Sequence, residues 1–342
     1  GYKYMSNQPP IEVPQGAIRL NTDSQKLEFF AQDRWYEMAT DVPTLDGGSR
    51  AVFAGGGDPA DPTLDVMDFI TISTAGNAAD FGDLSSNRRQ GSGCSSKIRN
   101  LIMGGYSDSA GAVRNTVEAS IFSSGGGSSS FCNLTAARYV AAGGGNNTRG
   151  LYAGGHSPNA PTVAASIDVF DTFSGTNAVD FGDLSQGRVD TAGSANVTRF
   201  VVAGGITPSQ VNTIDFATIS TLGNSQDFGD LSSTSVHNDG ASSATRCVWN
   251  GVGSSVSTNC EKMEYATRGD TFTFGDMTVA RNSHTATTDC VRIVVAGGNV
   301  PGSRTNVIDY TSISSGGSSA DFGDLTDVRS QLDGGSNAHG GL

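Results

Sequence analysis

"DFGDL" at residues 80–84 decides how this chain is read. The pentapeptide returns at 180–184, 227–231 and 321–325, with degenerate copies "FGDM" at 274–277 and "FCNL" at 131–134. The repeated phenylalanines are Phe81, Phe131, Phe181, Phe228, Phe274 and Phe322, spaced 50, 50, 47, 46 and 48 residues apart. A unit that recurs at a period near 48 points to a propeller, solenoid or array. A second landmark keeps step with the first. Apolar runs ending in paired glycines stand at "AVFAGG" (51–56), "NLIMGG" (100–105), "GLYAGG" (150–155), "FVVAGG" (200–205) and "RIVVAGG" (292–298), with a damaged copy, "RCVWNG", at 246–251.

Read alone, Asp-Phe-Gly is also the magnesium-holding signature of protein kinases. A catalytic Asp is needed once per active site, not six times. The chain also has no Gly-rich loop followed by a "VAIK"-like strand, and no "HRD" ahead of the motif. The repeat is structural.

Each unit runs in one order. After the glycines comes a polar loop, then a strand with Asp beside an aromatic: "VMDFITIS" (66–73), "IDVFDTF" (167–173), "NTIDFATIS" (212–220), "VIDYTSIS" (307–314). A turn follows, then the "DFGDL" strand, then an Arg in several units: Arg138, Arg188, Arg281 and Arg329. A strand of small residues such as "VDTAGSAN" (189–196) completes the unit. Four short strands at this period predict the blade of a β-propeller. A continuous apolar run such as "FVVA" suits a strand covered on both faces by neighbouring blades. Small residues suit the strand nearest the axis, and the repeated Phe suits packing between blades. The last residues, 330–342, resemble the small-residue strand but lack the run that should follow, whereas the first run, 50–56, lacks the strand that should precede it. The C-terminal segment 330–342 is therefore expected to close the ring. The fold class expected is all-β: a six-bladed propeller over 48–342 behind a short N-terminal β-hairpin segment over 1–47.

Composition agrees. Gly accounts for 46 of 342 residues, and only 16% of residues are charged. No window shows helical periodicity. The net charge of −13 argues against nucleic acid, which needs clustered Lys and Arg. No apolar stretch approaches the length of a membrane span. The five cysteines, Cys94, Cys132, Cys247, Cys260 and Cys290, form no CxxC pair. They read as small buried core residues rather than a disulfide framework or zinc site.

The order of paired Gly, aromatic strand, second aromatic, Leu and Arg resembles the kelch repeat over residues 50–342. Kelch blades usually carry Trp where this chain has Phe81 and Phe181, and the gap from Phe69 to Phe81 is longer here. Residues 14–38, "PQGAIRLNTDSQKLEFFAQDRWYEM", alternate apolar and polar around "TDSQ" and "AQDR" and read as two short hairpins. So small a piece buries little by itself. This stretch resembles a segment of tailed-phage virion proteins through Pro14, Gly16, Ala17, Ile18, Arg19, Asn21, Thr22, Lys26, Glu28 and Trp35. The glycine-rich repeats resemble those of structural proteins of large phages. The resemblance implies a virion protein of the tail or capsid surface, anchored to other virion proteins through Ile18, Leu20, Phe29, Trp35 and Tyr36, and homo-oligomeric by analogy with phage fibres.

No catalytic constellation is expected. Sialidase-type "SxDxGxxW" turns are absent from the sequence. His237, His284 and His339 fall at similar places in successive units and are expected to line the central channel as polar, water-facing groups, not as a metal site. Asp83, Asp183, Asp230, Asp276 and Asp324 repeat with the blade and are expected to accept backbone N–H bonds at turns. Neither a cofactor nor a metal is called. Variety concentrates in the loops after the paired glycines, which an up-and-down blade places on one face, where function tends to live. Asp58, Asp61, Tyr106, Arg114, His156 and Arg304 are the candidate ligand contacts there. The reading is a non-enzymatic appendage that binds a host-surface glycan. An architectural bridging protein and a glycan-active enzyme are the alternatives.

Overall fold

The computed structural model describes residues 13–21, 26–37, 49–108, 110–158 and 162–342. The chain is all-β, and the described residues contain no helix. It divides into two compact units, Gly1–Leu45 and Asp46–Leu342.

The N-terminal unit is a three-stranded antiparallel sheet of Ile18–Asn21, Lys26–Ala31 and Arg34–Glu37. Its second hairpin turns on Gln32 and Asp33, both left-handed (φ 48° and 57°), as a two-residue turn between twisted strands requires. Register places Ile18 opposite Phe29, Leu20 opposite Leu27 and Phe29 opposite Tyr36. On the other face Arg19 lies 4.1 Å over the Trp35 ring and pairs with Glu28 at 2.7 Å. The "TDSQ" turn, Thr22 included, lies outside the described residues.

The larger unit holds six four-stranded antiparallel sheets. Sheet I joins Asp333–Ser336, Arg50–Ala54, Val66–Thr71 and Ala79–Asp83. In sheets II to VI the strand order follows the chain. Their first strands are Ser92–Ser95, Ala142–Gly145, Ala192–Ala195, Asp239–Ser242 and Thr285–Thr288. These first strands, with Asp333–Ser336, lie against one another in cyclic order, an arrangement consistent with a propeller-like fold. In sheet I the ladder runs from Asp333 opposite Ala54 to Ser336 opposite Ala51. The two strands of that ladder come from opposite ends of the unit.

Small residues are required where these strands meet. A Cβ built on Gly93 would collide with the carbonyl oxygen of Gly334 in the neighbouring sheet, and one on Gly193 with that of Gly143. The second strand of each sheet, such as Arg99–Met103 or Arg199–Ala203, is buried at four successive positions. Cover on both faces explains why these runs are continuously apolar. Six apolar clusters lie between successive sheets, and each repeated Phe other than the half-buried Phe131 sits inside one. Phe81 of sheet I, for example, packs with Ile102 and Phe122 of sheet II, and Phe322 of sheet VI with Ile70 and Ile72 of sheet I. All five cysteines are free, four of them buried.

Beside each apolar cluster runs a polar seam. At five of the six interfaces an Arg from the end of one sheet, wholly or almost wholly buried, pairs with an acid of the next: Arg88–Glu118, Arg138–Asp168, Arg188–Asp215, Arg281–Asp309 and Arg329–Asp68. Each guanidinium also donates to the first glycine carbonyl of the next sheet's Gly-Gly turn, as Arg188 does to Gly204 O at 3.0 Å. At the sixth interface Ser235 occupies the Arg position. Glu261 is held instead by Ser232, Asn259 and Thr271.

One expectation is corrected. Asp83, Asp183, Asp230 and Asp324 do not accept backbone N–H bonds through their side chains. Instead the backbone N–H groups of Asp183, Asp230 and Asp324 donate to side-chain oxygens of Asn224, Asp270 and Asn77. The turn acceptors therefore lie in the neighbouring sheet, and the repeated Asp is an exposed or half-buried edge residue. Of the five, only Asp276 accepts through its carboxylate, from the Thr258 hydroxyl at 2.9 Å.

Candidate functional site

The first strands of the six sheets surround an axial channel with a cavity of about 140 Å³. One end is framed by six residues at equivalent places, just ahead of each first strand: Gln90, Val140, Asp190, His237, Ser283 and Gln331. All six are left-handed, with φ between 51° and 61°. The backbone N–H of each donates to the carbonyl of the one before it, and Gln90 N–H closes the circle on Gln331 O at 3.0 Å. The other five bonds measure 2.8 to 3.4 Å. A β-branched residue such as Val140 is costly in this region of φ. The tertiary ring imposes the conformation.

At the far end the segment Ala338–Leu342 crosses the channel. His339 Nε2 lies 2.9 Å from Ser95 O, Gly340 N–H donates to Ser242 O at 2.7 Å, and Asn147 N–H donates to Gly341 O at 3.1 Å. His339 Nδ1 accepts from Gly341 N–H, which fixes the tautomer with the proton on Nε2. The channel is thus framed by the ring at one end and crossed by chain at the other.

The lining carries Asp190, Asp239 and Asp333 and neither Lys nor Arg. Asp190 pairs with His237 at 3.1 Å. Asp239 accepts from Gly240 N–H, Ala286 N–H and the Thr285 hydroxyl. Burial outweighs those bonds and pushes its carboxyl up to about 7. Burial likewise raises Asp333 well above the usual carboxylate range, against the pull of Arg88. His284, whose Nε2 lies 3.1 Å from Asn250 O, is pushed down to about 3 by burial and by Arg281. His237, His284 and His339 all line the channel. Among the described residues no three His, Cys, Asp or Glu groups are placed to share a metal ion.

These shifts have opposite signs in stability. Asp239 holds its proton more tightly when folded, so its contribution is full below about pH 4 and is lost as pH rises through about 7. His284 binds its proton less tightly when folded, so its contribution is lost as pH falls from about 6.5 toward 3. The Asp239→Asn variant is therefore expected to gain on the parent protein as pH rises from 4 to 8. The gain is at most about 4 kcal/mol, from three pK units at 1.36 kcal/mol each, and is reduced by water in the channel. Urea titrations across that range check it; a pH-independent difference would show that Asp239 does not titrate.

The expected loop contacts divide into two groups. Tyr106 and His156 are brought together through Tyr139, which lies 5.7 Å from the first ring and 5.0 Å from the second. Arg89 lies 5.7 Å over Tyr106 and pairs with Asp108 at 2.7 Å and with Gln331 Oε1 at 2.7 Å. The backbone bridges Arg89–Tyr106 and Tyr139–His156 fix this half-exposed row next to the channel ring. Asp58 and Asp61 shape their own loop instead. Asp58 Oδ1 accepts from Ala60 and Asp61 N–H, and Asp61 Oδ1 from Thr63 N–H. Arg114 stands in the same loop as Tyr106, with its Nε buried and unpartnered, and Arg304 pairs through its backbone with Asn299. Residues 159–161 and Ser109 of these loops lie outside the described residues. Sequence reasoning passed over Tyr139 and Arg89. The available signal was their place: each directly follows a seam Arg. The N-terminal residues Ile18, Leu20 and Phe29 are exposed on one sheet face, at 64%, 60% and 37%, and Trp35 and Tyr36 are half-buried.

A scan against protein-family models finds no match to this chain, and neither does a search of curated proteins.

Proposed function

We propose that the larger unit is a six-bladed kelch-like propeller and that the chain is a non-enzymatic virion protein of the phage-appendage type. In this reading the N-terminal sheet docks to other virion proteins and the loop face of the propeller binds a host-surface glycan. Six four-stranded sheets with first strands in cyclic order support the blade count. The resemblance of residues 14–35 to phage virion segments supports the setting. The observation that carries the binding reading is the row Tyr106–Tyr139–His156, flanked by Arg89 and Asp108. Aromatic faces beside fixed donors and acceptors are what a sugar ring stacks on and hydrogen-bonds to.

The test is binding of the labelled full chain to a panel of bacterial surface glycans and to susceptible and resistant cells. Saturable binding is expected, weakened about fivefold to tenfold by Tyr139→Ala, the loss of one stacking contact of about 1 kcal/mol. A second reading, an architectural bridge between virion proteins, is favoured by the exposed apolar face of Ile18, Leu20 and Phe29. Binding only to virion proteins, with no glycan or cell bound, would select that reading and end the adhesin one.

A further inference from the structure

The axial channel holds polar groups that the fold leaves unsatisfied. Asn238 is 6% exposed, and neither its Oδ1 nor its Nδ2 has a partner. Thr191 is 8% exposed with an unpartnered hydroxyl, and Asp333 is 5% exposed with an unpartnered Oδ2. All three line the cavity, and they come from three different sheets. Buried polar groups normally find partners, so three unmet ones around one cavity call for an occupant. Three of these four unmet atoms can accept a hydrogen bond, and only Asn238 Nδ2 is limited to donating. His284 adds another acceptor: with its Nε2 proton directed at Asn250 O, its unpartnered Nδ1 carries a lone pair.

We infer that the channel binds a small organic diammonium ion, with one charged head on Asp333 of sheet I and the other directed at Asn238 Oδ1 and the Thr191 hydroxyl of sheets V and IV across the ring. Charge selects the sign, because the lining contains three carboxyls and no basic side chain other than histidine. The nearby guanidinium, Arg88, is already committed to Glu118 and to the carbonyls of Gly104 and Thr116. Asp190 and Asp239 have partners of their own, whereas Asp333, beside Gly91 N–H and Arg88, keeps an unpartnered Oδ2. Burial raises the Asp333 carboxyl above the usual carboxylate range, and a cation beside it favours the carboxylate. Geometry disfavours a bare metal ion, since the acceptors do not converge as a cluster of three ligating acids or histidines. Size agrees. A cavity near 150 Å³ accepts a ligand of about six non-hydrogen atoms, and this one is about 140 Å³. Ala141, Ala241 and Leu332 supply apolar wall for an alkyl stem.

Calorimetric titration of the full chain with 1,4-diaminobutane, 1,4-butanediol, calcium chloride and potassium chloride tests this. The diamine is expected to bind saturably, and the diol, its neutral counterpart in size, is not. Asp333→Asn is expected to weaken diamine binding at least tenfold, and the milder Thr191→Val at least threefold. Circular dichroism and a cooperative unfolding transition establish that each variant is folded. Should Asp333→Asn not fold, Thr191→Val and Asn238→Ala carry the test. Equal binding of the diol would overturn the inference. So would binding of a metal ion without the diamine, diamine affinity unchanged in the folded variants, or no binding in any arm.

Discussion

Removing residues 331–342 is expected to abolish cooperative folding of the larger unit, whereas removing residues 1–45 leaves its transition in place. The C-terminal segment makes three kinds of closing contact at once. Asp333–Ser336 forms a full ladder with Arg50–Ala54. Leu332 completes the apolar cluster between sheets VI and I. Gln331 supplies one donor and one acceptor to the ring of six backbone hydrogen bonds. Each lost ladder bond costs about 1 kcal/mol, and burying Leu332 contributes about 2 kcal/mol more. The truncated chain also exposes Arg50–Ala54 as an unpaired apolar edge, which invites association between chains. Moving the segment to precede Ser49 through a short linker is expected to restore the transition, because pairing depends on position in space and not on chain order. Thermal unfolding followed by circular dichroism, with light scattering, measures all three chains. An unchanged midpoint in the truncated chain would mean that ring closure contributes little.

The second large effect is expected at the polar seams. Arg188→Met leaves Asp215, fully buried, with only the Ser185 and Ser225 hydroxyls and the Ser185 N–H. An uncompensated buried charge of this kind costs about 3–5 kcal/mol. The double variant Arg188→Met/Asp215→Leu is expected to recover most of that loss, because a buried pair replaced by apolar side chains is often close to neutral. The protein already contains a seam without arginine. Glu261 is held by Ser232, Asn259 and Thr271 where Ser235 stands in the Arg place. Glu261→Gln is therefore expected to cost only about 1 kcal/mol, the scale of one altered hydrogen bond. Urea unfolding of the parent, Arg188→Met, Asp215→Leu and the double variant gives the coupling energy directly. A loss in the double variant equal to the sum of the two single losses would show that the guanidinium and carboxylate act independently.

Periodicity along the chain was enough to determine the all-β class, the repeat length and the order of strands within a unit. Each of these is a local pattern: an apolar run, paired glycines, an aromatic strand, a strand of small residues. The Phe positions were legible for the same reason, since a large apolar side chain at a fixed place in a repeat has one way to be buried. The seam acids were half-visible. Asp68, Asp168, Asp215 and Asp309 stood out beside their aromatics, but Glu118 and Glu261 did not, because a longer side chain in an altered strand fills the same role. Arg88 was passed over in "NRRQ", where two arginines adjoin, although its place four residues after Leu84 matches Arg188 after Leu184 and Arg329 after Leu325.

His237, His284 and His339 were expected to line a channel and do so, but tertiary structure alone decided the ring that frames it. The six left-handed residues share no side-chain chemistry, since Gln, Val, Asp, His, Ser and Gln stand at one structural place. Closure of the ring imposes their backbone conformation, so no residue preference marks them in the sequence. The unmet polar atoms of Thr191, Asn238 and Asp333 are likewise a property of strands brought together from opposite sides of the axis. Sequence spacing records how far apart residues lie along one chain. It carries no record of which groups remain without partners once six sheets have met.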